Sequence, residues 1–210
     1  MNELQHKLSR ELSEFKKFKQ NYSFEFADLT EINEILYCKG KPLTDNEGKT
    51  VPECDEWINV GYKIKSSTSK VLSNLFPYRF WFKGAELYSI EAFFQGLKFP
   101  DPDIQRLIFT YSGTDAYHVQ RTSEYDWRKT GILYWQGKPV NRHAPEYADL
   151  VDELYISAIQ NPLYRQALKN VNKYILHSIG NPDENEKVFT RKEFETQINA
   201  LSAFVKQISR

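Results

Sequence analysis

Residues 72–99 constrain the fold more than any other part of the chain. They begin as an aromatic-rich extended stretch, turn at Lys83-Gly84 and continue into a short helix that Ser89 opens. At 100° per residue, the apolar side chains of this helix share one stripe, which predicts burial on that side. A second, polar stripe borders the buried face, as in the wall of a cleft, and consists of Glu91, Gln95 and Lys98. Taken alone, such a stripe is more often solvated surface than a functional site.

The spacing of residues around this helix resembles the signature of the NADAR superfamily, also called YbiA-like. The matching positions are Leu72-Ser73-Asn74, Phe76, Gly84, Ser89-x-Glu91, Phe94-Gln95 and Lys98-Phe99. A later block, residues 158–168, is similar to the second marker of that family, in which Gln-Asn-Pro starts a helix. Asp126-Trp127 resembles the aspartate–tryptophan pair of many members. The resemblance covers about residues 70–204.

The C-terminal stretch departs from the best-known form of the family. Many members end in a Trp-Gly-rich segment, whereas this chain has Leu176-His177-Ser178-Ile179-Gly180 and then Phe189-Thr190. The departure indicates a divergent branch of the family. His177 follows an apolar run, which favours a buried, hydrogen-bonded histidine over a catalytic one.

The pattern of elements predicts a mainly helical α+β fold. The resemblance specifies it as a single compact YbiA/NADAR-like domain with a few short strands, formed by residues 70–210. Residues 1–69 are predicted to be a helical and extended N-terminal extension that packs on the domain. In this extension, residues 3–19 have amphipathic helical spacing and Trp57 to Ile64 alternate like a strand.

Further elements follow from local signals. Helices are predicted at about 103–111, 145–160 and 162–170, and a capping box at Thr190 opens the last helix. Residues 112–126 are polar and are predicted to be irregular. The segment from Trp127 to Trp135 is predicted to be a loop or short helix that Gly131 interrupts.

The resemblance implies hydrolysis of the N-glycosidic bond between a ribosyl C1 and a nucleobase nitrogen, with removal of ADP-ribose from guanine, in DNA or free, as the leading expectation. The alternatives are hydrolysis of phosphoribosylated intermediates of riboflavin synthesis, and a non-catalytic ADP-ribose or NAD-binding module. A third class is an interaction protein that acts through its N-terminal 70 residues, and only their length supports it. Sequence does not decide between a DNA adduct and a free metabolite.

Two residues are the expected catalytic pair. Glu91 lies in the first turn of its helix, where the helix dipole favours the carboxylate, and it suits stabilisation of an oxocarbenium-like transition state. Lys98, if desolvated, could act as a nucleophile that forms a Schiff base with an opened ribose. The alternative for Lys98 is an ion pair or a helix C-terminal cation.

Five residues are expected to bind the substrate. Trp127 could stack on a base and Asp126 could accept from its amino or imino groups, although a core tryptophan beside a surface aspartate is almost as well supported. Asn74 could hold the sugar or a phosphate, or could simply form a turn. Arg142 is one of several arginine and lysine candidates for a diphosphate contact. Gln95 lies on the polar stripe.

Composition limits the remaining possibilities. Lysine plus arginine and aspartate plus glutamate number 28 each, so no net charge attracts nucleic acid and binding would need a local patch. Cys38 and Cys54 are predicted to be reduced thiols in a cytoplasmic protein. Neither cysteine has zinc-site spacing, and we expect no metal, no cofactor and no obligate protein partner. No apolar run is long enough to predict a membrane span.

Overall fold

The computed structural model describes residues 3–22, 55, 57–61, 66–119, 125–177 and 187–209. Within these ranges the chain is mainly helical, with a few strands of three or four residues, so the predicted mainly helical α+β class is confirmed. The helices are α1 (Glu3–Asn21), α2 (Ser67–Val71), α3 (Ile90–Gly96), α4 (Pro102–Phe109), α5 (Gly113–Val119), α6 (Trp127–Thr130), α7 (Pro145–Ala158), α8 (Pro162–Asn170) and α9 (Arg191–Ile208). The strands are β1 (Trp57–Asn59), β2 (Phe80–Phe82), β3 (Ala85–Leu87), β4 (Ile132–Trp135), β5 (Lys138–Asn141) and β6 (Tyr174–Leu176).

The chain forms two compact units. The first consists of Met1–Lys17 and Asn74–Gln166, and the second of Phe18–Ser73 and Ala167–Arg210. Every residue expected to act on substrate belongs to the first unit. The predicted domain boundary between residues 69 and 70 stays a prediction.

The described strands form three separate pairs. Strands β2 and β3 are antiparallel, and so are β4 and β5, whereas β1 and β6 are parallel. The turn between β2 and β3 places Lys83 at φ 46° and Gly84 at φ 84°, a left-handed backbone that glycine adopts without a steric penalty. The turn predicted at these two residues is therefore present.

Two local predictions need correction. Residues 112–126 were expected to be irregular, but Gly113–Val119 form α5, because tertiary packing outweighs the weak helix propensity of a glycine start. The segment after Gly131 was expected to be loop or helix, yet Ile132–Trp135 form β4, whose inward side chains Leu133 and Trp135 are buried. The structure does not describe Cys38, Cys54 or the part of the predicted strand that follows Gly61.

The core of the first unit forms around α3. The four side chains of its predicted apolar stripe are all buried, namely Ile90, Phe93, Phe94 and Leu97. Phe93 packs edge-on against Phe82, with ring centroids 5.5 Å apart, and its centroid lies 5.6 Å from that of Trp135. Each such side chain stabilises the fold by roughly 1.5–3 kcal/mol through removal from water. The apolar stripe thus fixes the rotation of α3 about its axis.

Gly113 allows α5 to approach the segment that follows Asn74. A β-carbon on Gly113 would lie 2.2 Å from the Leu75 Cα and 2.3 Å from the Leu75 carbonyl oxygen. Both atoms belong to the backbone, so they cannot move away by a change of rotamer. Glycine at this position therefore allows α5 to pack directly against the backbone next to Asn74.

We expect Gly113→Ala to lower the free energy of unfolding by about 3 kcal/mol, because the new methyl group overlaps backbone atoms. Gly84→Ala is the matched control, since the same methyl group meets no atom within 4 Å there and adds only the strain of a positive φ. That strain costs about 1 kcal/mol. Urea denaturation of both variants measures the difference, and equal losses would contradict the close approach at Gly113.

His177 lies in the second unit and is half-buried. Its Nδ1 is 2.7 Å from the Val60 carbonyl oxygen, and its backbone N–H donates to Glu195 Oε1 at 2.9 Å. Burial lowers the pKa of His177 below its ordinary value, because the desolvated ring resists protonation. The contacts agree with the predicted hydrogen-bonded histidine, which is half-buried instead of fully buried.

A lowered pKa of His177 makes stability depend on pH in one direction. Between its folded pKa and the ordinary value of 6.5, the unfolded chain binds more protons at this site than the folded chain. The contribution of His177 is therefore complete above about pH 6.5 and falls as the pH drops, by at most about 1.4 kcal/mol per pH unit. We expect His177→Gln to flatten this part of the profile of unfolding free energy against pH. His143→Gln, the same change at an exposed position, is the control. Equal profiles for both variants would contradict the assignment.

Candidate functional site

Ser89 sets the position of the polar stripe. Its Oγ accepts a hydrogen bond from the Ala92 N–H at 3.0 Å, which caps the N-terminus of α3 as predicted. Glu91 follows in the first turn, where the exposed N–H groups of the helix favour a negative charge. The cap thus fixes both the start of α3 and the environment of the Glu91 carboxylate.

One carboxamide joins Glu91 to Lys98. Gln95 Nε2 donates to Glu91 Oε1 at 2.5 Å, and Lys98 Nζ donates to Gln95 Oε1 at 2.7 Å. Helix α3 ends at Gly96, so Lys98 lies in the turn just beyond it, and the Lys98 N–H donates to the Gln95 carbonyl oxygen at 3.2 Å. That turn keeps Lys98 on the same side as Gln95. We call Glu91, Gln95 and Lys98 the polar line.

The polar line runs from partly exposed to buried. Glu91 is half-buried, Gln95 is 4% exposed and Lys98 is 8% exposed. A lysine this buried is uncommon unless it is paired, and here its ammonium group contacts an amide oxygen. Electrostatic interactions are stronger where water is excluded, so a charge that develops near Lys98 is screened less than at the surface.

Asn74 is attached to the polar line through the backbone. Its carbonyl oxygen accepts from the Glu91 N–H at 2.9 Å, and its side-chain Oδ1 accepts from the Tyr155 hydroxyl at 2.8 Å. The structure therefore brings Asn74, Glu91, Gln95 and Lys98 together, as a shared site requires.

Tyr155 was not among the residues singled out from the sequence. It was seen only as part of the apolar face of α7, yet its hydroxyl is buried beside Asn74. Burial raises the pKa of Tyr155 well above its ordinary value, and the charge of Glu91 contributes to the rise. The sequence does carry a signal, since a tyrosine on a buried helix face needs a hydrogen-bond partner.

Arg142 is buried at the end of β5. Its N–H donates to the Gly131 carbonyl oxygen at 2.8 Å, and its guanidinium carbon lies 4.5 Å from the centre of the Tyr147 ring. Tyr147 and Tyr155 both belong to α7. Arg142 therefore packs against the helix that carries Tyr155.

Asp126 and Trp127 lie on a different element, the short helix α6. Asp126 is its N-cap, and Oδ1 accepts from the Arg128 N–H at 3.3 Å. Trp127 is 4% exposed, so its ring is a core side chain. These contacts match the structural alternative raised for the pair, and substrate binding by either residue stays a prediction.

Comparison with known proteins assigns the chain to a family. Residues 66–203 match the family model described as bacteriophage protein GP30.3. An uncharacterized 17.1 kDa protein of Enterobacteria phage T4, from the Gp30-rIII intergenic region, is 33% identical over 136 residues, which are 63% of this chain and 89% of the phage protein. The chain belongs to the GP30.3 family. The GP30.3 family is related to the NADAR family, so the resemblance seen in the sequence is confirmed.

One solved structure is also similar. The NMR structure of the Escherichia coli protein YbiA aligns with 80% of this chain and 93% of its own length, with 15% sequence identity and a TM-score of 0.46.

The second NADAR-like block supports the architecture of this GP30.3 family member. Gln160 Nε2 donates to the Trp81 carbonyl oxygen at 3.0 Å, and Asn161 Nδ2 donates to the Arg79 carbonyl oxygen at 3.2 Å. Asn161 Oδ1 also accepts from the Leu163 N–H at 3.1 Å, at the start of α8. The block thus ties the start of α8 to β2.

The described residues contain neither a metal-binding cluster nor a membrane-spanning helix. In those ranges, no three histidine, cysteine, aspartate or glutamate side chains lie close enough to hold a metal ion. None of the helices described there combines the length and apolar character needed to cross a membrane.

Proposed function

We propose that this protein hydrolyses the N-glycosidic bond between the ribosyl C1 of an ADP-ribosyl group and a nucleobase nitrogen, with ADP-ribosylated guanine as the substrate. The observation that supports this most is the polar line. In it the Gln95 carboxamide hydrogen-bonds to the Glu91 carboxylate at 2.5 Å and to the buried Lys98 amine at 2.7 Å. The resemblance of the sequence to the NADAR superfamily implies the same chemistry.

Glu91 has the position to stabilise positive charge. Cleavage of an N-glycosidic bond passes through a transition state with oxocarbenium character, in which C1 and the ring oxygen become positive. A half-buried carboxylate stabilises that charge more than one in bulk water. A carboxylate has about four acceptor sites on its two oxygens, so one that accepts from Gln95 can also accept a hydrogen bond from a ribose hydroxyl.

Lys98 has the position to act as a nucleophile. In the proposed reaction its neutral amine attacks C1, the C1–N bond breaks, and the base leaves with a proton that the amine gives up. Opening of the sugar ring then converts the C1 adduct into a Schiff base. Water hydrolyses the Schiff base, which releases ADP-ribose and restores the amine. The reaction thus consumes one water, yields the free base and ADP-ribose, and regenerates the enzyme.

The test is incubation of the protein with ADP-ribosylated guanosine, followed by mass spectrometry of the products. We expect guanosine and free ADP-ribose to appear in equal amounts. The double variant Glu91→Gln/Lys98→Arg is the control for contaminating activity. Binding of ADP-ribose with no product would instead support the binding-module alternative, and turnover of a phosphoribosylated pyrimidine alone would support the riboflavin-pathway alternative.

A further inference from the structure

Tyr155 holds one end of the Asn74 side chain. It lies in the middle of α7 and is fully buried, and its hydroxyl donates to Asn74 Oδ1 at 2.8 Å. Burial keeps the phenol protonated, so it remains a donor across the pH range in which proteins are stable. In this arrangement the oxygen of the Asn74 carboxamide faces Tyr155 and its NH2 group is at the other end.

The orientation determines what Asn74 can offer a ligand. An asparagine side chain has an acceptor oxygen and an NH2 group with two donors, and a rotation of 180° exchanges them. With Oδ1 bonded to Tyr155, the NH2 group is the end left to face other partners. Asn74 as a whole is only half-buried.

Asn74 is also beside the proposed catalytic carboxylate. Its backbone carbonyl accepts from the Glu91 N–H at 2.9 Å, and the charge of Glu91 is felt at the Tyr155 hydroxyl. A ligand held by Glu91 is therefore within the neighbourhood of the Asn74 side chain. What such a ligand must supply is an oxygen that accepts a hydrogen bond.

We propose that Tyr155 is a positioning residue, which orients the Asn74 carboxamide so that its NH2 group donates to a ribose hydroxyl oxygen of the substrate bound beside Glu91. This inference rests on the proposed function for the identity of the ligand. Tyr155 does not touch the substrate, and it acts through Asn74 alone.

The experiment compares two tyrosine-to-phenylalanine variants of the full chain. Tyr155→Phe removes the hydroxyl bonded to Asn74. Tyr164→Phe removes an equally buried hydroxyl from the same cluster, one that neighbours Tyr78. We expect Tyr155→Phe to weaken ADP-ribose binding about tenfold by calorimetry, and Tyr164→Phe to leave it unchanged. Both variants lose a buried hydroxyl, so a general loss of packing would affect them alike.

Two further measurements separate positioning from a structural role. The side-chain NH2 signals of Asn74 in NMR spectra should move in Tyr155→Phe and stay in place in Tyr164→Phe. Asn74→Asp keeps an oxygen for Tyr155 but has no NH2, so it should bind ADP-ribose as weakly as Asn74→Ala. The double variant Tyr155→Phe/Asn74→Ala should be no weaker than Asn74→Ala, because the two residues act as one unit.

Several results would overturn the inference. They are equal binding by Tyr155→Phe and Tyr164→Phe, normal binding by Asn74→Asp, unmoved Asn74 signals, and no ADP-ribose binding by the unaltered protein. Failure of the proposed function has a different signature, namely no release of guanosine by a protein that still binds ADP-ribose with the expected Tyr155 dependence. The converse, normal turnover in Tyr155→Phe, leaves the proposed function intact and removes the positioning role.

Discussion

Lys98→Arg is expected to lower the rate of guanosine release by at least about a thousandfold while ADP-ribose binding changes little. Arginine keeps the positive charge and much of the aliphatic stem, so the contact with Gln95 Oε1 can be retained. The guanidinium group stays protonated near neutral pH and cannot attack a carbon atom. The change therefore separates a nucleophile from a simple cation.

The matched control is Lys129→Arg, which makes the same substitution at a side chain that is 82% exposed. It should leave both rate and binding at the original values. Reduction with borohydride in the presence of substrate should trap a covalent adduct on the unaltered protein and none on Lys98→Arg. A near-normal rate in Lys98→Arg, together with no trapped adduct, would refute the Schiff base and leave Glu91 with an activated water.

Glu91→Gln is expected to lower the rate of guanosine release by roughly a hundredfold to ten-thousandfold, a loss typical for a charge that acts on the transition state. Glutamine has nearly the same shape and keeps an oxygen that can accept from Gln95 Nε2. What it removes is the negative charge beside the reacting carbon. ADP-ribose binding should weaken much less than the rate, because the oxocarbenium charge exists only in the transition state.

Glu86→Gln is the control for the charge change. Glu86 lies on β3 and is half-buried like Glu91, but it is paired in register with Trp81, on the β2–β3 hairpin. The rate of this variant should equal that of the unaltered protein, and thermal unfolding of both variants shows whether either change damages the fold. An equal loss of rate in Glu86→Gln and Glu91→Gln would mean that net charge, not position, governs the reaction.

Local sequence signals were sufficient for α3 and its surroundings. The 3.6-residue period identified the buried stripe, and the serine at residue 89 marked the helix start, because both depend only on neighbouring residues. Thr190 is a second example, and its side chain and that of Glu193 form the predicted capping box. The same period places Glu91 beside Gln95, because residues four positions apart are neighbours on a helix. Lys98 reaches Gln95 through the turn that follows Gly96.

Contacts between distant residues were not accessible in the same way. The hydrogen bond from Tyr155 to Asn74 joins residues that are 81 positions apart along the chain, and no periodicity within either segment specifies it. Likewise, α5 begins with a glycine that local propensity disfavours, and only the nearby Leu75 backbone explains why glycine is present. Trp127 shows the same for the candidate site. Its burial depends on packing around α6, which the Asp126-Trp127 pair alone does not specify.

The uncharged carboxamide of Gln95 lies between Glu91 and Lys98 and hydrogen-bonds to both. A carboxylate in direct contact with an ammonium group would stabilise the protonated amine and make the neutral, nucleophilic form rare. The Gln95 oxygen accepts from Lys98 as part of a neutral dipole, and the Gln95 NH2 group donates to Glu91 but is too weak an acid to protonate it. The carboxamide thus links the acid and the amine in one short chain of hydrogen bonds. Glutamine is suited to this place because, unlike glutamate or lysine, it contacts both charges while remaining neutral itself.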